Sequence, residues 1–163
     1  MSAKSRRHII GLHVENKPGV LARIASLFSA RGFNIESLNV GETENSATSR
    51  MTIAVLGDDR ALEQIRKQLS RLIDTLKVTE LSDLPCVETD IALVKVKAAP
   101  ERRGEILNLV NIFNARIADV SDRHLVVEVS GNEDKLTSFI SLMGSYGVTE
   151  MVRAGRIAMK RGD

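Results

Sequence analysis

The sequence predicts an α+β protein made of two consecutive βαββαβ halves, and three observations carry that expectation. Short apolar stretches with strand-like alternation are separated by longer stretches with helical spacing. The order strand, helix, strand, strand, helix, strand occurs twice along the chain. Finally, the run Asn16-Lys17-Pro18-Gly19-Val20-Leu21 stands where the first strand gives way to the first helix.

In the first half, His8 to Glu15 reads as a strand and Pro18 to Arg31 as a helix. The apolar positions Val20, Leu21, Ile24, Leu27 and Phe28 fall at helical spacing and make one buried stripe. Gly32 suits the left-handed position that ends a helix, with Phe33 packing back on it. The next strand, Asn34–Val40, has Ile35 and Leu38 at opposite parity, which predicts a bulge or a twist. A polar hairpin around Glu42–Thr48 leads to Arg50–Leu56, where Met51, Ile53 and Val55 alternate with Arg50, Thr52 and Ala54. Such alternation belongs to a sheet with one face in the core. Asp58 or Asp59 caps a helix carrying Leu62, Ile65, Leu69 and Leu72, and Leu76 and Val78 supply a fourth strand.

Ser82-Asp83-Leu84-Pro85 reads as a short linker, dividing the chain into domains 1–82 and 83–163. Beyond it come strand Thr89–Lys97, helix Glu101–Asn114, strand Ile117–Ser121, a turn at Asp122-Arg123 and strand His124–Ser130. A helix with Leu136, Phe139, Ile140 and Met143 and a strand Val148–Arg153 complete the order. Each half is near the lower size limit for independent stability. A sheet with helices on one face leaves its other face partly apolar, so pairing within or between chains is expected.

Composition narrows the function. The 163 residues carry 43% hydrophobic and 27% charged side chains, enough for a core and a solvated surface. The net charge of +2 comes from 23 basic and 21 acidic residues that are well interspersed, which argues against a nucleic-acid or membrane-surface partner. Lys4, Arg6 and Arg7 form a local basic cluster, read as a solvated end rather than a targeting signal. The apolar run after it is short and broken by His13 and Glu15, so no signal peptide or membrane span is expected. Cys86 is alone and cannot form an internal disulfide, which suits a cytoplasmic location.

The loop at Asn16–Leu21 is the candidate site. Pro18 is expected in the first helical turn, where its missing N–H costs nothing. Gly19 lets a ligand approach the backbone. The N–H groups of Gly19, Val20 and Leu21 then face outward at the positive end of the helix dipole, which favours a carboxylate. Asn16 stands at the lip, and Asn34-Ile35 follow the same helix. This is chemistry for holding an amino acid, not for transforming one.

Other candidates are weaker. Neither a Walker motif nor G-x-G-x-x-G is present. His8, His13 and His124 are scattered without metal-ligand spacing, and His13 reads as a plain strand residue. Cys86 has no activating base nearby in sequence, and Glu42 and Glu44 read as solvated hairpin residues. No catalytic constellation emerges, so the chain is read as a non-enzyme. The same element order builds RNA-recognition domains, but these stack bases on strand aromatics, and His8–Glu15 and Arg50–Leu56 contain no Phe, Tyr or Trp.

The runs Val14 to Ile24, Leu27 to Leu38 (with Arg31-Gly32-Phe33-Asn34-Ile35-Glu36-Ser37-Leu38) and Ser49-Arg50-Met51-Thr52-Ile53 closely resemble the ACT domain of acetolactate synthase small subunits. The resemblance covers essentially the whole chain, including the tail Gly155 to Gly162. It implies two tandem ferredoxin-like domains, with an N-terminal ACT domain that binds the effector and a C-terminal domain for association or signal transmission. It also implies a non-catalytic regulatory subunit that activates a catalytic large subunit and confers feedback inhibition by valine in branched-chain amino acid biosynthesis. Thiamine diphosphate, Mg²⁺ and FAD would belong to that partner and none to this chain. A homodimer through paired ACT sheets is implied, with Asn16, Gly19, Val20 and Leu21 of one copy and Asn34 and Ile35 of the other around valine. In the second half the matching loop reads Ala98-Ala99-Pro100-Glu101-Arg102-Arg103-Gly104. Glu101 stands where an anion would bind, so no amino acid is expected there. The alternatives are a free-standing ACT-domain sensor regulating a different enzyme, and a purely structural dimerisation module.

Overall fold

Alternating apolar residues in the strands and helical stripes between them produce the same layered arrangement twice. The computed structural model describes residues 5–162, so Lys4 of the basic cluster lies outside it. The chain divides into two units: the residues up to Val87 together with those from Arg156 onward, and Glu88–Gly155.

In the first unit the order is β1 (Arg6–Glu15), α1 (Val20–Ala30), β2 (Ile35–Glu42), β3 (Thr48–Gly57), α2 (Asp59–Leu69) and β4 (Thr75–Glu80). The sheet runs β2-β3-β1-β4 and each of these pairings is antiparallel. Strand alternation sends Ile10, Leu12 and Val14 of β1 and Met51, Ile53 and Val55 of β3 to one face. There they meet Val20, Ile24 and Phe28 of α1 and Leu62, Ile65 and Leu69 of α2. Each of the larger side chains contributes about 1.5–3 kcal/mol by leaving water. Asp58, not Asp59, caps α2: its Oδ1 accepts from the Ala61 N–H at 2.7 Å. Gly32 is left-handed at φ 70°, and the Phe33 N–H closes the end of α1 on the Phe28 carbonyl at 3.0 Å.

Of the bulge or twist expected in β2, the structure has the bulge. Ile35 faces Val55 and Ser37 faces Ala54, so Glu36 is the extra residue. A second irregularity, not anticipated, lies in β4, where Thr75 faces Val14 and Lys77 faces His13. Leu76 is therefore skipped by the ladder and stays half exposed, while Val78 packs against the core.

The second unit repeats the plan with β5 (Cys86–Lys97), α3 (Pro100–Ile112), β6 (Arg116–Val120), β7 (His124–Gly131), α4 (Glu133–Gly144) and β8 (Val148–Arg153), in the order β6-β7-β5-β8. Its core gathers Val94, Val96, Leu125, Val127, Ile106, Leu136, Phe139 and Met143. Phe113 meets Phe139 edge to face, with centroids 5.3 Å apart. Helix α3 stops two residues short of the expected Asn114, which takes φ 47° and ends the helical backbone. Both bulges recur in place: Ala118 is the extra residue of β6 and Thr149 of β8. The internal repeat thus extends to irregularities that periodicity alone does not reveal.

The division after Val87 falls inside β5, two residues beyond the linker expected at Ser82–Pro85. The tail also forms a ninth strand, β9 (Ile157–Lys160), which pairs with β5 as the fifth strand of that sheet, while its residues fall in the first unit. The Arg161 N–H donates to the Pro85 carbonyl at 2.7 Å. Four residues are too few for alternation to have announced that strand.

Candidate functional site

The turn before α1 differs from expectation in one respect that governs the site. Pro18 does not enter the helix. Gly19 adopts φ 83°, ψ −10° and forms the helix cap, so the helix starts at Val20 with no side chain capping it. The Arg23 N–H reaches the Gly19 carbonyl at 3.0 Å, while the Val20 N–H bends back to the Lys17 carbonyl at 3.4 Å. Val20 is therefore a weaker outward donor than its neighbours, and its side chain lies in the core. The N–H groups of Gly19, Leu21 and Ala22 donate to no backbone acceptor among the described residues. They are the open donors at the positive end of α1. Ala22 was missed because placing Pro18 inside the helix shifts the donor set toward the N-terminus.

Around this opening, charge and amide groups are fixed by the β2–β3 hairpin. Asn16 is held by its own N–H to the Ala47 carbonyl at 2.8 Å. Its Nδ2 donates to the Ser46 carbonyl at 2.9 Å and to Glu42 Oε1 at 3.2 Å. The Asn16 Oδ1 is left as an acceptor beside the Glu42 carboxylate. Glu42, read from sequence as a solvated hairpin residue, is thus part of the site's rim. On the other side, Arg23 Nη1 lies 3.1 Å from where a Cβ on Gly19 would be. Its guanidinium is anchored by Asp74, with Nε to Oδ2 at 3.0 Å, on a residue 7% exposed. Lys17 is bound to Glu15 at 2.6 Å, and that hydrogen bond holds its ammonium above the usual lysine range. The arrangement offers backbone donors and a guanidinium to an anion, and carboxylate and amide oxygens to a cation, a few side chains apart.

Asn34 and Ile35 are not brought to this opening within one chain. Asn34 is exposed and Ile35, at the start of β2, packs partly on the first core and faces Val55. Asn16 touches Glu42, at the other end of β2. Seven residue steps separate the two ends, roughly 23 Å. β2 is also an edge strand of its sheet.

Two of the other sequence candidates lie outside this opening. His8 is fully buried on β1, its Nε2 3.5 Å from Asp59 and its Nδ1 3.7 Å from Glu80, with neither nitrogen hydrogen-bonded. The Cys86 thiol points to the Leu81 carbonyl at 3.5 Å. Among the described residues no group of three His, Cys, Asp or Glu could hold a metal ion, and no helix is long and apolar enough to cross a membrane.

Two family descriptions match the chain: an acetohydroxyacid synthase small-subunit-like ACT domain over residues 10–77 and a small subunit of acetolactate synthase over residues 89–162. A probable acetolactate synthase small subunit of Archaeoglobus fulgidus is 55% identical over 96% of this chain and 98% of its own. The acetolactate synthase small subunit of Aquifex aeolicus is 50% identical over 96% of this chain and 82% of its own. The crystal structure of the small subunit from Thermotoga maritima superposes with a TM-score of 0.87 at 42% identity, over 97% of this chain and 99% of that one. With both units matched and relatives aligned nearly end to end, the chain belongs to the acetolactate synthase small-subunit family.

Proposed function

We propose that this chain is the regulatory subunit of an acetolactate synthase, raising the activity of a catalytic large subunit and making it sensitive to valine. The observation that carries the reading is the left-handed Gly19 turn, which leaves the Gly19, Leu21 and Ala22 N–H groups open at the start of α1. A bound amino acid would place its carboxylate on those donors and its ammonium beside Glu42 and the Asn16 amide oxygen. The thiamine diphosphate, Mg²⁺ and FAD of the holoenzyme belong, in this reading, to the large subunit. The chain itself works in the cytoplasm as a binding and coupling device.

The position of β2 supports a site shared by two copies. If two edge strands β2 pair antiparallel about a two-fold axis, the start of one strand lies beside the end of the other. Asn34 and Ile35 of the second copy then come next to Asn16 and Glu42 of the first. That arrangement joins the residues that a single chain keeps apart, and the exposed part of Ile35 offers a branched side chain an apolar neighbour. The first unit then serves the effector and the second unit association or transmission.

Reconstitution tests the proposal. Acetolactate formation by a large subunit should rise on adding this protein and fall along a valine titration. Valine should also raise the melting temperature of the isolated chain by mass action, leucine and isoleucine less, lysine and aspartate hardly at all. No activation of any acetolactate synthase large subunit, with stabilisation by another amino acid, would point instead to a free-standing sensor. No response to any amino acid would leave a structural module.

A further inference from the structure

On the face of the first sheet turned away from α1 and α2, three strands set basic side chains in one row. His13 on β1 stands opposite Arg50 on β3 and opposite Lys77 on β4. The next row on that face is Thr52, Gly11 and Thr79. Gly11, His13, Arg50, Lys77 and Thr79, with Lys160 of β9, line a cavity of about 140 Å³. A Cβ on Gly11 would come 3.0 Å from Leu81 Cδ1, so the bare backbone there keeps the floor low.

Like charges directly opposite one another across strands destabilise a sheet. No carboxylate neutralises this row. Arg50 and Lys77 form no ion pair among the described residues. Glu15, on the same face of β1, is held by Lys17 at 2.6 Å. The His13 Nε2 is buried and has no hydrogen-bond partner. The second unit shows that the fold does not require such a row. At the matching step beside the bulge of β8, Lys95 stands between Val126 and Glu150, and the row beyond it is Glu128, Leu93 and Val152. There one cation meets an acid and an apolar group; in the first unit two permanent cations flank an imidazole.

We propose that this cavity binds a compact dianionic oxyanion, phosphate or a small dicarboxylate, on Arg50, His13 and Lys77. The guanidinium and ammonium supply charge-assisted hydrogen bonds, and His13, between them in the row, lines the same cavity. The volume sets the size. A cavity of roughly 150 Å³ holds a benzene-sized molecule, whereas drug-sized ligands occupy about 300–1,000 Å³, so a compact oxyanion is the ligand this cavity would surround. This cavity lies on the sheet face, apart from the donors at the start of α1, and the proposal does not depend on what binds there.

The experiment uses the full-length protein and three probes at matched ionic strength: inorganic phosphate, glycerol 3-phosphate and malonate. Melting temperature and isothermal titration calorimetry are read for the wild type, the double variant Arg50→Gln/Lys77→Gln and the conservative Lys77→Arg. Saturable binding of at least one probe is expected in the wild type, weakened about tenfold or more in the double variant and retained in Lys77→Arg. The three arms distinguish free phosphate, a phosphate ester and a dicarboxylate as the natural ligand. Both substituted side chains are exposed, so folding should survive, and without any probe the double variant should melt no lower than the wild type because a repulsion has been removed. Failure of all three probes, or equal binding by wild type and double variant, would overturn the site. A double variant clearly less stable without ligand would show that the row is structural.

Discussion

The loop that joins β1 to α1 and the loop that joins β5 to α3 occupy equivalent places in their units, yet they treat the helix start in opposite ways. In the first, a left-handed glycine opens the turn and three consecutive-turn donors are left without backbone acceptors. In the second, Ala99 has φ −55°, ψ 145° and Pro100 occupies the first turn, so one N–H is absent altogether. The Arg102 and Arg103 N–H groups both go to the Ala99 carbonyl at 3.0 Å. The Arg103 guanidinium then reaches across the mouth of the loop. Its Nη2 donates to the Ala98, Ser121 and Asp122 carbonyls at 3.1, 2.9 and 2.9 Å. Glu101 adds a negative charge in the first turn. Where the first loop presents donors to an outside anion, the second lacks one donor and carries a carboxylate that repels such an anion. The lesson is that a shared element order does not duplicate a site; one backbone torsion and one arginine separate the two.

The contrast can be broken most strongly at Gly19. Replacing it with valine puts a β-branched residue at φ 83° and its Cβ 3.1 Å from Arg23 Nη1. The expected cost is about 2 kcal/mol in chemical denaturation, together with loss of the valine-induced rise in melting temperature. Gly19→Asp is the gentler probe, since aspartate tolerates left-handed backbone better. Its carboxylate can pair with Arg23 and occupy the anion position, so it should give an enzyme that is still activated but resistant to valine. An unchanged valine response in both variants would remove Gly19 from the site.

Arg103→Ala unlocks the second loop. Losing one charged donor from three carbonyls should cost about 1–2 kcal/mol, while the valine response, belonging to the other loop, stays at its wild-type midpoint. A shifted midpoint would show that the two loops are coupled.

Asn16→Ala should cost about 1 kcal/mol through its bonds to Ser46 and Glu42. Glu42→Gln should leave stability nearly unchanged, yet both should weaken valine binding in calorimetry. If Glu42→Gln binds valine as tightly as the wild type, the ammonium is held elsewhere. The smallest effect runs in the opposite direction. Ala99 has extended backbone at a helix cap without a capping side chain, so Ala99→Ser should stabilise the protein by about 0.5 kcal/mol in thermal unfolding.

Most of the fold could be read from residues because burial enforces periodicity. The stripe Val20, Ile24, Phe28 and the alternation Met51, Ile53, Val55 have one arrangement that hides them, and the opposite parity of Ile35 and Leu38 required a bulge or a twist in β2. Features that do not rest on burial were less visible. Leu76 is apolar and yet outside the ladder, and β9 is too short to carry a pattern. At the site, the motif located the loop, but Pro18 and Gly19 each allow more than one helix start. The torsion of Gly19 decides which N–H groups open, and the guanidinium beside it is held by the pairing of Arg23 with Asp74, which lie far apart in sequence. Glu42 could not be distinguished from ordinary hairpin residues until the register of β2 placed it against Asn16.

The return of the tail to the first unit has a practical consequence for dissecting the molecule. Since residues on both sides of Glu88–Gly155 belong to the first unit, the second unit is an insertion with two covalent attachments rather than an appendage with one. A polypeptide that stops at Ser82 therefore discards the Arg161–Pro85 bond and the strand that walls the basic cavity, along with the second unit. An excision of residues 88–155 that bridges Val87 to Arg156 keeps β1 to β4 and the tail, but it takes away most of β5, the strand that β9 pairs with.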